Sequence, residues 1–117
     1  MIIKTEEYQV DCSENRKAVL SGVLRLPSPT SYEQPFSVIK QNIEEAATDY
    51  TVDLVGLSFL NSSGITALAR LIILARTFDV PIYLIINDNI PWQKKSISSL
   101  KNLWERIQIT SIKQNDN

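Results

Sequence analysis

The chain has 117 residues, 44% hydrophobic, 21% charged and 8% aromatic, which suits one domain with an ordinary core and not a disordered segment. Twelve basic and thirteen acidic side chains leave a formal charge of −1, so recognition of nucleic acid through bulk charge is not expected. There is no histidine, which excludes a self-contained Ser-His-Asp or Cys-His centre, a histidine phosphorelay site and any His-ligated metal.

Cys12, the single cysteine, can form neither an internal disulfide nor a thiolate metal cluster, and suits a reducing compartment. No secretion signal or 18-residue apolar run is present, so a cytoplasmic protein without a membrane span is expected.

Along the chain, Tyr8, Val10 and Cys12 share one face of a short strand. Ala18, Leu20, Gly22, Leu24 and Leu26 continue the period of two in a second, with Val19 and Val23 on its reverse face. The polar stretch Ser13 to Lys17 joins them as a hairpin, and Pro27-Ser28-Pro29-Thr30-Ser31 reads as an extended loop. Phe36, Ile39, Ile43, Ala46 and Tyr50 fall at helical steps of three and four. Thr51 to Leu57 reads as a buried strand.

Asn61-Ser62-Ser63-Gly64 then turns into a second helix with the stripe Ile65, Leu68, Ala69, Ile72 and Ala75, widened by Leu71 and Leu74. Pro81 to Ile86 is nearly continuously apolar, as for a strand covered on both faces. Pro91 suits the first turn of a third helix, whose inner stripe includes Ile97, Leu100 and Trp104. A last strand runs from Ile107 to Ile112, and the polar tail 113–117 is expected to fray. The order predicts a single α/β domain over 1–112. Its mixed sheet opens with an antiparallel hairpin, continues with alternating helices and strands, and carries helices packed on it.

The turn after the third predicted strand holds the most chemical information. Asn61 or Ser62 is the expected N-cap, its side-chain oxygen accepting from an amide of the first turn. Gly64 lacks a Cβ, so a backbone or a phosphate can approach closely there. A helix start is electropositive and rich in free N–H donors, which suits a phosphoryl group. The plainer reading is a cap and nothing more. A serine nucleophile lacks both a histidine base and the G-x-S-x-G spacing.

The phrase Val52-Asp53-Leu54 … Leu57 … Phe59-Leu60-Asn61-Ser62-Ser63-Gly64-Ile65, with the helix and the strand Pro81 to Ile86 after it, resembles the STAS domain of bacterial anti-sigma factor antagonists. The stretch Ile90-Pro91-Trp92-Gln93-Lys94-Lys95-Ser96 … Leu100-Lys101-Asn102-Leu103 is similar to a small subgroup of STAS-like regulators well represented in cyanobacteria. The resemblance implies a non-enzymatic interaction module without a cofactor or metal. Its partners would be an anti-sigma factor or related serine kinase and a PP2C-type phosphatase. It implies phosphorylation at Ser62, with Ser63 as the alternative, and partner binding through Asn61, Ser62, Ser63, Gly64 and Thr66. Asn61 stands where that family commonly has Asp.

Two other readings remain open. The same surface can serve a constitutive scaffold or adaptor with no phosphorylation switch. In an enzyme or small-ligand binder, Asp53, Asp79 and Asp88 would be the candidate acids or bases. Trp92 fits either packing or a partner site. Lys94, Lys95 and Lys101 form either a solvated face or a patch for an acidic partner.

Overall fold

A computed structural model describes residues 1–46 and 48–114. Six strands form one sheet in chain order: β1 (Ile2–Lys4), β2 (Tyr8–Asp11), β3 (Lys17–Leu24), β4 (Tyr50–Leu60), β5 (Ile82–Asn87) and β6 (Ile107–Ile112). The first three pair antiparallel, and β3 to β6 run parallel. Helix α1 (Ser37–Glu45), α2 (Ser62–Thr77) and α3 (Pro91–Ile97) fill the crossovers; 3-10 segments occupy Thr30–Tyr32 and Ser98–Leu103. The mixed α/β sheet with its antiparallel opening is the architecture expected from the sequence.

Every parallel crossover steps one strand in the same direction, so right-handed connections place the helices on one face of the sheet. The buried side chains follow that asymmetry. Ala18, Leu20, Val52, Leu54, Leu84 and Ile86 meet Ile39 and Ile43 of α1 and Leu68, Ile72 and Ala75 of α2 in one core. Among the described residues, the reverse face has no helical cover. Tyr83 of β5 is 37% exposed and Ile85 is half-buried, so β5 is covered on one face and not on both, contrary to the sequence expectation. No helix among the described residues is long and apolar enough to cross a membrane.

Five local departures have physical causes. Tyr50 belongs to β4 and not to α1, because α1 ends at Glu45, Ala46 is already extended and the Tyr50 amide donates to the carbonyl of Pro81 at 3.0 Å. Strand β1 has no pattern of its own and forms through pairing with β2. Trp104 is extended, beyond a helix that has tightened to 3-10 geometry, so it leaves the stripe of Ile97 and Leu100. Gly22 has a φ of 88°, and a Cβ there would lie 2.2 Å from the Glu7 carbonyl oxygen, which accepts from the Val23 amide. Of the tail, Gln114 is held: its amide donates to Asn87 Oδ1 at 3.2 Å and its carbonyl accepts from Asn87 Nδ2 at 3.3 Å. Residues 115–117 lie outside the described residues.

Strands β4 and β5 pair only from Tyr50 to Asp53 against Ile82 to Ile85, and then diverge. Beyond that point β4 would present unpaired carbonyls to the core. Gln93 of α3, fully buried, fills the gap: its Nε2 donates to the carbonyls of Leu54 at 2.6 Å and Leu57 at 2.8 Å, while its Oε1 accepts from the Asn87 amide at 2.7 Å. Beside it, Trp92 Nε1 donates to the Ser58 carbonyl at 2.8 Å. One carboxamide therefore replaces a stretch of ladder. Gln93→Ala should cost about 3 kcal/mol or more in urea denaturation, since three buried backbone groups lose their partner at roughly 1–3 kcal/mol each. A loss under about 1 kcal/mol would contradict this role.

Candidate functional site

The turn that joins β4 to α2 is built around Asn61. Its backbone is extended while its carbonyl already accepts from the Ile65 amide, the geometry of a helix N-cap. Its Oδ1 accepts from the Gly64 amide at 2.9 Å and from the Tyr32 hydroxyl at 2.7 Å. Its Nδ2 donates to the Leu26 carbonyl at 2.8 Å, and the Leu26 amide donates to the Tyr32 hydroxyl at 3.3 Å. Burial pushes the Tyr32 phenol above its ordinary pKa, so it stays protonated and remains a donor. The carboxamide thus ties three segments: the end of β4, the first turn of α2 and the loop after β3.

This network calls for an amide and not a carboxylate at position 61. A carboxylate can accept from Gly64 and Tyr32, but it cannot donate to the Leu26 carbonyl. The amide is required by the loop that begins at Leu26.

Gly64 is buried beneath the same turn. A Cβ there would lie 2.2 Å from Leu60 Cδ1 and 2.8 Å from the Tyr32 oxygen. The space that glycine opens is therefore filled by the protein's own Leu60 and Tyr32, and Gly64 sets the spacing of the turn from below.

Ser62 and Thr66 are exposed, four residues apart on one ridge of α2, and Ser63 is half-buried. Among the described residues, the amides of Ser62 and Ser63 meet no acceptor, whereas Gly64 is capped by Asn61. The first turn of α2 contains no acidic residue. The exposed hydroxyl of Ser62 thus sits beside two open N–H donors at the positive end of a 16-residue helix.

The sequence-proposed acids do not assemble into a centre. Asp53 Oδ1 accepts from the Val55 amide at 2.9 Å, beside a shift in the β3–β4 register. Asp79, with a φ of 56°, pairs with Arg106 at 2.6 Å in the turn after α2. Asp79 and Asp88 flank opposite ends of β5, roughly 20 Å apart by strand rise. Trp92 is half-buried and anchored to Ser58, while Lys94, Lys95 and Lys101 are exposed. The sequence reading did not single out Tyr32 or Gln93. Tyr32 follows the proline-bounded loop, and that loop was the only available signal.

Compared with models of known protein families and with curated proteins, the chain matches none.

Gly64→Ala should destabilise the fold by about 2 kcal/mol or more, because Leu60 and Tyr32 must both shift. Denaturation with unchanged stability would show that this packing is looser than the geometry states.

Proposed function

We propose that this chain is a non-enzymatic regulatory interaction module, acting in the cytoplasm in the manner of a STAS-type anti-sigma factor antagonist. Its switch is Ser62. The carrying observation is the exposed Ser62 hydroxyl beside the open amides of Ser62 and Ser63, with no acidic residue in the helical turn. In the unmodified state the neutral ridge of Ser62 and Thr66 docks on a kinase-type partner, an anti-sigma factor or a related serine kinase. The rigid turn below it, set by Asn61 and Gly64, fixes the geometry of that surface.

In phosphorylation, Ser62 Oγ attacks the γ-phosphorus of ATP and ADP departs. The hydroxyl proton passes to a base of the kinase. The product carries about −1.5 to −2 charge and three acceptor oxygens. The helix start accommodates that charge with a stabilisation of roughly 0.3–1 kcal/mol, so the fold persists while the docking surface changes sign. A hundredfold loss of affinity needs only about 2.7 kcal/mol, which burial of an unpaired dianion supplies readily. A PP2C-type phosphatase restores the hydroxyl by hydrolysis.

A second reading is favoured by the completeness of the Asn61 network without any phosphate. There, Asn61 and Ser62 serve as cap and helix start for a constitutive adaptor. The two readings separate on the same variants. With the cognate kinase and ATP, phosphate should map to Ser62. Ser62→Asp should lose partner affinity about a hundredfold while Ser62→Ala keeps it, and both variants should melt within a few degrees of the parent. Equal partner binding by the two variants, with no phosphate on Ser62 or Ser63, selects the adaptor.

A further inference from the structure

A groove of about 400 Å³ runs between the Thr30–Tyr32 segment with α1 on one side and α2 on the other. Its size falls within the range of small-molecule sites, roughly 300–1,000 Å³. Pro29, Tyr32, Phe36, Ala67, Leu71 and Leu74 supply an apolar lining. Leu71 and Leu74 continue the apolar stripe of α2, yet both are only partly buried. Pro29, Leu71 and Leu74 are thus the apolar lining residues that the chain leaves partly open, above the buried Tyr32, Phe36 and Ala67.

Two cations, Lys40 of α1 and Arg70 of α2, also line this groove. Neither side chain has an ion pair or a hydrogen-bonded partner among the described residues. The contrast with the other arginines is informative. Arg16, Arg25 and Arg106 pair with Asp49, Glu7 and Asp79, and Arg76 donates to the Leu103 carbonyl. Among the described residues, Arg70 alone of the five presents an unused guanidinium fork, and it does so above an apolar floor. Such a fork matches a planar carboxylate. Glu33, also on the lining, holds the local balance to one net positive charge, which suits a monoanion and opposes a dianion.

We propose that this groove is a binding site for an amphiphilic monocarboxylate, an alkyl chain of about ten carbons seated on Pro29, Leu71 and Leu74 with its carboxylate between Lys40 and Arg70. The site stands independently of phosphorylation at Ser62. It nevertheless shares Tyr32 with the turn, since Tyr32 lines the groove and donates to Asn61.

The test is a titration of the full chain with decanoate, decanol and decyltrimethylammonium below their aggregation concentrations, followed by amide chemical shifts. Decanoate should give saturable shifts centred on Ser37, Ala67 and Leu71, at least tenfold tighter than decanol, with no saturation by the ammonium compound. Lys40→Glu with Arg70→Glu, both exposed positions, should weaken decanoate at least tenfold, whereas Lys94→Glu with Lys95→Glu, an equal change in net charge, should leave it unchanged. Equal affinity for decanol and decanoate would overturn the proposal. So would the absence of saturation, an unchanged affinity in the groove variant, or shifts centred on Tyr83 and Ile85 of the uncovered sheet face.

Discussion

The carboxamide of Asn61 is the constraint on which the rest of the site depends. It accepts from the first turn of α2 and from Tyr32, and donates to the loop that leaves β3. Each bond is of ordinary strength, about 1 kcal/mol net, yet all pass through one side chain whose two ends differ in chemistry. Ser62 stands exposed at this turn, beside the open amides of Ser62 and Ser63, while the Gly64 amide is taken by Asn61. A helix cap here also acts as a staple between segments 35 residues apart.

The second organising feature is the divergence of β4 from β5. A parallel sheet with helices on one face can bend away from itself only if its carbonyls find other partners. Gln93 and Asn87, the two buried polar residues among those described, provide them. The divergence lets the end of β4 reach the turn before Ser62, with Trp92 bonded to Ser58 alongside. The two junctions, at Asn61 and Gln93, therefore bracket the same end of the sheet.

Periodicity carried most of the architecture. Steps of three and four marked Ile39 and Ile43, and Leu68, Ile72 and Ala75, while alternation marked Ala18, Leu20 and Leu24. It failed where a stripe outlasts its element. Tyr50 and Trp104 continue helical spacing after the backbone has changed, and such a change is decided by partners distant in sequence. The cap at Asn61 was legible because capping is local. Gln93 was not, since a glutamine at a helix start ordinarily reads as solvated, and its two acceptors lie 39 and 36 residues away. The uncovered sheet face followed from strand order, which local patterns do not encode.

The same chemistry that places Ser62 calls for a carboxamide at position 61. If the turn is held through the donor end of Asn61, then Asn61→Asp must weaken it despite keeping a good capping oxygen. The carboxylate gains roughly 0.3–1 kcal/mol from the helix dipole but faces the Leu26 carbonyl without a proton to share. Urea denaturation of Asn61→Asp at neutral pH against the parent chain is the most direct measurement. A net loss of about 1 kcal/mol or more is the predicted result, and a variant as stable as the parent, or more stable, would contradict the account.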